Sequence, residues 1–96
     1  MFIISLTYLK PFEEIDAVLP AHREFLHEQY AKGLFLMSGR MVPRIGGVII
    51  AASGSRAAIE ALVQLDPFHR DGIARYDITE FVPTMTSDLF ESLRQD

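Results

Sequence analysis

Runs of apolar residues divide this chain into short extended segments and longer helical ones. Residues 2–9 are rich in β-branched and aromatic residues and stop at Lys10-Pro11, which is typical of a β-strand closed by a residue without a backbone donor. Residues 34–42 and 46–52 predict two more strands in a hairpin-like pair. The alternation of residues 73–82 predicts a fourth strand.

A helical pattern fills the interval between the first two strands. Residues 13–32 open with acidic side chains, which favour the positive end of a helix, and they stop at Gly33, where a left-handed cap is wanted. Pro20 interrupts this pattern, and a proline inside a helix costs about 3 kcal/mol. We therefore expect the regular helix to begin at Pro20 and residues 13–18 to form a looser turn.

Two later segments also predict helices. Residues 56–65 carry an apolar face after the N-cap that residues 53–55 offer, and this helix should end before a proline. Residues 67–72 are then expected to form a loop. Ser87 is expected to cap a short C-terminal helix that lies on the surface or across a partner subunit.

The order β-α-β-β-α-β predicts the fold class α+β, with a ferredoxin-like protomer whose antiparallel four-stranded sheet carries both helices on one face. The chain of 96 residues has room for one domain, residues 1–96. The uncovered face still carries apolar residues such as Ile73 and Phe81, and the hydrophobic content of 49% is high for a short chain. Two such sheets packed face to face would bury these residues, so we expect a homodimer.

Charge and composition narrow the classes of partner. A formal net charge of −4 is unfavourable for binding a phosphate backbone, so no nucleic-acid partner is expected. The absence of cysteine excludes a disulfide framework, a thiolate nucleophile and a cysteine-based zinc site. The N-terminus lacks a basic segment with a cleavage site, and no apolar run is long enough to span a membrane. We therefore expect a cytoplasmic protein that has no membrane partner.

His22 lies inside an apolar stripe of the first predicted helix. Positions 19, 22, 26 and 30 share one helix face and read Leu, His, Leu and Tyr. A histidine in this setting acts as a general acid or base or, alternatively, is a core residue satisfied by a hydrogen bond. Asp66, at the end of the second helix, either orients His22 through Nδ1 or bonds its own backbone as a turn starter.

Four further side chains are candidate contacts for a small-molecule ligand. Ser38 and Arg40 are two residues apart in a predicted strand and so share a face, where Arg40 would bind a carboxylate or enolate oxygen. The alternative is a solvated arginine at a strand end. Tyr8 would donate its phenol to the pocket, packing being the alternative, and His69 lies in the predicted loop close to the same opening.

The chain shows no standard spacing of metal ligands. Neither a metal nor a cofactor is therefore expected. A metal held by His22, His69 and Asp66 is the weaker alternative.

Five segments form an ordered set of motifs. They are Phe2-Ile3-Ile4-Ser5-Leu6, Pro20-Ala21-His22-Arg23-Glu24-Phe25-Leu26, Gly33-Leu34-Phe35-Leu36-Met37-Ser38-Gly39-Arg40, Asp66-Pro67-Phe68 and Tyr76-Asp77-Ile78. In this order and spacing they resemble the YciI family over nearly the whole chain. The resemblance implies a dimeric α+β barrel, similar in architecture to muconolactone-isomerase-like proteins, and a His-Asp acid/base pair at His22 and Asp66. Family members commonly carry a proline after the Ser-Gly, where this chain has Arg40.

The leading interpretation is a small dimeric enzyme, a lyase or an isomerase, that moves a proton on a small carbonyl or aromatic-derived compound. His22 would be its base and Asp66 the orienting partner. The chain shows no second strong acid or nucleophile beside His22, which argues against hydrolysis by a covalent route. The alternative is a non-catalytic ligand-binding or accessory module, in which the two residues only bond the ligand or the fold. A third interpretation, an interaction scaffold, predicts no pocket.

Overall fold

A computed structural model describes residues 1–95 and contains an antiparallel sheet of four strands in the order β2-β3-β1-β4. The strands are β1 (Phe2–Tyr8), β2 (Phe35–Arg40), β3 (Gly46–Ala51) and β4 (Ala74–Glu80). The helices are α1 (Phe12–Ala31), α2 (Arg56–Val63) and α3 (Pro67–Arg70), followed by a C-terminal 3₁₀ helix (Asp88–Leu93). The predicted fold class is confirmed, because the helices follow the strands in the expected order.

Alternation along β1 separates the two faces of the sheet. Phe2, Ile4 and Leu6 are buried toward the helices, and the residues between them point to the other face. Ile4 lies opposite Ile49 of β3 and Ile78 of β4, so the central strand places its apolar side in the middle of the core. The predicted strand segments extend at most two residues beyond the observed ends, as the fraying of strand ends would suggest.

The prediction of a loose turn at residues 13–18 is wrong, because α1 is one continuous helix of 20 residues with Pro20 inside it. Ile15 is wholly buried and anchors the first turns in the core. Pro20 has no N–H, so the backbone carbonyl of Asp16, four residues earlier, has no helical donor. Both residues are exposed, and water can bond to this carbonyl instead. Tertiary packing thus outweighs the local cost of the proline. Gly33 ends the helix as predicted, with φ +73.

The prediction of a loop at residues 67–72 is also wrong in part. Helix α2 ends at Val63, two residues earlier than predicted, and a further helical turn, α3, begins at Pro67. Proline suits the first helical position because its fixed φ matches the helix and its missing N–H has no partner there in any case. The Asp66 carboxylate accepts a hydrogen bond from Phe68 N–H at 3.0 Å and caps the turn.

The C-terminal segment folds back over the uncovered face of the sheet. Phe90 and Leu93 line a small cavity of about 250 Å³ together with Met37 and Ile50, which are paired across β2 and β3. The predicted short helix is present as a 3₁₀ helix. Ser87 stands at its N-cap position but its side chain makes no capping hydrogen bond, so the predicted cap is wrong. No helix in residues 1–95 has both the length and the apolar character that a membrane crossing needs.

Candidate functional site

His22 and Asp66 meet in the core although 44 residues separate them in sequence. Helix α1 carries His22 on its sheet-facing side, and the N-cap of α3 carries Asp66. The distance from His22 Nδ1 to Asp66 Oδ1 is 2.7 Å. His22 is 7% exposed and Asp66 is wholly buried. A carboxylate can only accept this hydrogen bond, so Nδ1 carries the proton and Nε2 is the nitrogen left for another partner.

The Asp66 carboxylate accepts hydrogen bonds from three donors. Oδ1 accepts from His22 and from the backbone N–H of Phe68, and Oδ2 accepts from the Tyr76 hydroxyl of β4. The two interpretations of Asp66 at the sequence level are therefore compatible, since the same side chain contacts His22 and caps its own turn. Charge-assisted bonds of this kind stabilise a buried carboxylate.

Tyr76 was not among the predicted site residues. Burial raises its pKa far above the ordinary value of 10.0, and the charge of Asp66 and the hydrogen bond to it raise the pKa further. The phenol therefore stays protonated and remains a donor. One signal could have found it: a tyrosine on the helix-facing side of a strand needs a partner for its buried hydroxyl.

Phe68 fixes the plane of the His22 ring. The two rings are stacked with centroids 3.9 Å apart and planes 3° from parallel. Phe68 is itself 2% exposed and meets the edge of the Tyr8 ring at 6.2 Å. With Nδ1 held by Asp66 and one ring face covered by Phe68, the imidazole has a single orientation.

A cavity of about 540 Å³ lies between α1 and the β2-β3 side of the sheet. Its α1 wall includes the whole predicted stripe, Leu19, His22, Leu26 and Tyr30. Phe68 lines it beside His22, and Asp66 lies behind that wall. Small-molecule sites are typically of this size and combine an apolar lining with a few placed polar groups.

The structure places three of the four predicted ligand contacts at this cavity. Tyr8, Ser38 and Arg40 line it. His69 does not line it but lies exposed in α3, where its ring meets that of Tyr76 at 5.2 Å. Sequence reasoning placed Tyr30 on the stripe without giving its phenol a role. The Tyr30 hydroxyl and Ser38 Oγ are hydrogen-bonded and form one polar spot on the wall.

Within residues 1–95, no three His, Cys, Asp or Glu side chains are arranged to hold a metal ion. The side chains named for the weaker metal alternative have other partners. Asp66 is occupied by its three donors, and His69 packs on Tyr76.

The model of the YCII-related domain family matches residues 1–82. The chain belongs to this family. The match includes every residue of the His22, Asp66 and Tyr76 network and ends before the C-terminal 3₁₀ helix. The resemblance drawn from the sequence motifs is thus confirmed.

A solved structure supports the fold of this family member. The chain is similar to 5-chloro-2-hydroxyhydroquinone dehydrochlorinase (TftG) from Burkholderia phenoliruptrix AC1100, solved in complex with 2,5-dihydroxybenzoquinone, with a TM-score of 0.70 and 16% identity. The similarity covers 84% of this chain and 93% of that one. At this identity the likeness shows a shared fold. No curated protein matches the chain.

Proposed function

We propose that this protein is a small enzyme that moves a proton on a carbonyl-activated or aromatic-derived small molecule, with His22 as the acid/base and Asp66 as its orienting partner. The observation that carries the proposal is the 2.7 Å contact between His22 Nδ1 and Asp66, made by a histidine whose ring also lines a cavity of about 540 Å³. Paired groups in such a position are typical of functional sites.

The proposed step begins with His22 Nε2, the nitrogen that Asp66 leaves free. Nε2 removes a proton from a carbon beside a carbonyl group, and the electron pair of the C–H bond moves onto the carbonyl oxygen as an enolate. Asp66 stabilises the imidazolium that forms. Return of the proton to another atom completes an isomerisation, and departure of a leaving group from the neighbouring carbon completes an elimination. Neither route needs an oxidant, a reductant or a second reactant; each needs only a group that takes up a proton and releases it.

In this proposal the polar spot of Tyr30 and Ser38 donates hydrogen bonds to the developing oxygen, and Arg40 contacts an anionic group of the substrate. The Tyr30 and Ser38 hydroxyls and the Arg40 guanidinium all line the same cavity as His22. Hydrogen-bond donors directed at a forming enolate contribute most when water is excluded, and the cavity wall here is partly apolar. Tyr8 lies at the same wall.

The structural neighbour supports the elimination route. Its name, a dehydrochlorinase, describes loss of hydrogen chloride from a hydroquinone, and its structure holds a planar ring compound. A cavity of about 540 Å³ has room for a ring of that size. We infer that hydroxylated or oxidised ring compounds are the first substrates to assay.

The second candidate function is a binding module without catalysis. It is favoured by one observation: Asp66 already serves the fold, because it caps α3 and accepts the Tyr76 hydroxyl. In that case the His22–Asp66 hydrogen bond would stabilise the fold below a ligand pocket and would take no part in catalysis.

The experiment that separates these functions measures chloride release from 5-chloro-2-hydroxyhydroquinone and solvent deuterium exchange into a panel of 2-oxo acids and lactones. The wild type and a His22→Asn variant are compared after thermal unfolding has shown that both are folded. The enzyme proposal expects a loss of about 10²- to 10⁴-fold in His22→Asn. An equal rate in the two proteins contradicts it, and ligand binding without product in the wild type favours the binding module.

We also propose that two protomers pair through the sheet face opposite the helices, which the C-terminal segment covers only in part. Ile3 and Met37 both lie opposite or beside Ile50 on that face, and Met37 is 51% exposed. An apolar patch across three strands is typical of a surface that a partner covers. Sedimentation of the wild type should give a dimer mass and an Ile3→Glu variant a monomer mass; a monomeric wild type would contradict the proposal.

A further inference from the structure

The cavity of about 540 Å³ is lined by three arginines. Arg23 comes from α1, Arg40 from β2 and Arg44 from the loop that follows it, and no Asp or Glu of residues 1–95 lines the wall. The chain as a whole is acidic, with 13 Asp and Glu against 9 Lys and Arg. The distribution of charge is therefore opposite in the cavity and on the rest of the molecule, and the cavity attracts anions.

Two of the three arginines that line the cavity differ from the other arginines in their pairing. Five of the seven arginines make an ion pair; these are Arg44, Arg56, Arg70, Arg75 and Arg94. Arg23 and Arg40 make no side-chain hydrogen bond or ion pair with any of residues 1–95, and both line the cavity. The two guanidinium groups without a protein partner thus lie on opposite walls of one space, α1 and β2.

Arg44 is held in place at the same cavity. Its Nη2 donates to Asp16 Oδ1 at 2.6 Å, and its guanidinium lies 4.7 Å from the centre of the Phe12 ring. The ion pair with Asp16 and the stacking on Phe12 fix this guanidinium and offset its charge, so Arg23 and Arg40 are the cavity arginines left to bind an anion.

We propose that the cavity is a site for a planar organic carboxylate, whose anionic group is bound by Arg40 and Arg23 and whose ring or unsaturated body packs against the apolar wall. The planar guanidinium matches a carboxylate in two parallel hydrogen bonds. Leu26 and Ile49 line the same space and suit a carbon skeleton, which inorganic phosphate lacks. The inference rests on the proposed function and narrows its substrate class, carbonyl-activated and aromatic-derived compounds, to those that carry a carboxylate group.

The test compares two probes that differ in charge and share their shape, benzoate and benzamide. Calorimetry measures their affinities for the wild type, for an Arg23→Gln/Arg40→Gln double variant and for Arg75→Gln, which carries its charge on the uncovered face. We expect benzoate to bind the wild type at least about tenfold more tightly than benzamide, because hydrogen bonds to charged groups are the strong ones. The double variant should lose that preference, and Arg75→Gln should keep it.

Three results from the comparison of the two probes would overturn the proposal. They are equal affinity for the two probes, a preference that survives in the double variant, and failure of benzoate to bind at all. Displacement of benzoate by an equal concentration of inorganic phosphate would also overturn it, in favour of a phosphate site. Inorganic phosphate should compete only weakly.

The His22→Asn variant distinguishes failure of this inference from failure of the proposed function. The substitution removes the base and leaves both guanidinium groups in place. We expect His22→Asn to keep the preference for benzoate over benzamide. Loss of turnover with an intact preference would support both proposals, unchanged turnover with an intact preference would overturn the catalytic one alone, and loss of preference in His22→Asn would overturn the assignment to the arginines.

Discussion

The polar groups of the buried network around Asp66 bond within the protein, whereas those of the arginine rim, Arg23 and Arg40 at the same cavity, do not. Asp66 is wholly buried and has three donors within the protein, whereas Arg23 and Arg40 are exposed and have no partner in residues 1–95. A buried carboxylate without donors would cost several kcal/mol, whereas an exposed guanidinium is hydrated at little cost. The network is thus part of the folded state, and the rim is available to a ligand.

This contrast predicts the largest loss of stability at Asp66. The Asp66→Ala substitution leaves His22 Nδ1–H and the Tyr76 hydroxyl buried without an acceptor and removes the cap of α3. We expect the free energy of unfolding to fall by about 3–5 kcal/mol, measured by urea denaturation at fixed protein concentration. Glu60→Ala is the control, since Glu60 is an exposed partner of Arg56 on α2, and it should change the value by less than about 0.5 kcal/mol. Similar losses of stability in the two variants would show that the buried network contributes no more than an exposed ion pair.

Tyr76 should give the next largest effect. Tyr76→Phe keeps the ring and deletes one donor to Asp66, so we expect a loss of about 1–3 kcal/mol near neutral pH in the same urea experiment.

The pH dependence of that difference follows from the raised pKa of Tyr76. In the unfolded chain the phenol titrates near 10.0, while in the folded protein burial and Asp66 hold its pKa far higher. Above pH 10 the unfolded state releases the proton and the folded state keeps it, so stability is present below that pH and is lost as the pH rises. The wild type should therefore lose stability above pH 10 more steeply than Tyr76→Phe. Parallel profiles would show that Tyr76 titrates freely in the folded protein.

Two serines at helix starts give the same contrast, between a side chain that bonds within the protein and one that does not, with a smaller expected effect on stability. Ser55 Oγ accepts from Ala58 N–H at 3.1 Å, whereas Ser87 occupies the same position before the 3₁₀ helix without a capping bond. Ser55→Ala should cost about 1 kcal/mol. Ser87→Ala should cost less than about 0.5 kcal/mol in the same urea measurement. Equal costs would mean that the capping bond of Ser55 contributes nothing.

The arginine rim should give the smallest effect on stability. Neither Arg23 nor Arg40 bonds to another part of residues 1–95, so their replacement by glutamine should change the free energy of unfolding by less than about 0.5 kcal/mol. A loss above 1 kcal/mol would assign these side chains a structural role, in contrast to the ligand role inferred for them.

The parts of the molecule that sequence predicts are those set by local periodicity. The stripe of Leu19, His22, Leu26 and Tyr30 becomes one wall of the cavity because helix geometry alone places these residues on one face. The order of strands and helices likewise predicts the sheet. Local preference alone gives the wrong prediction at Pro20 and at α3, because the packing of Ile15 and the cap at Asp66 outweigh it there.

Other features depend on which strands and helices come together. Tyr76 reaches Asp66 through the register of β4, and Arg23 and Arg40 line one cavity only once β2 and α1 come together. Exposed arginines follow no pattern in the sequence, so their convergence is visible only in the folded protein. The His22–Asp66 pairing follows from the residues only as one of two alternatives for Asp66, and the family resemblance favours it over the other.

The measurement that tests the central claim most directly is the ¹⁵N NMR spectrum of the His22 imidazole in the wild type, with and without benzoate, and in an Asp66→Asn variant. We expect Nδ1 of the wild type to carry a proton hydrogen-bonded to Asp66, and we expect the Nε2 signal to move when benzoate enters the cavity. That Nδ1–H signal should shift in Asp66→Asn. Two results would contradict the account and make His22 a structural residue. In the first, the wild-type His22 carries its proton on Nε2 and accepts a hydrogen bond at Nδ1. In the second, the Nε2 signal does not change when benzoate binds.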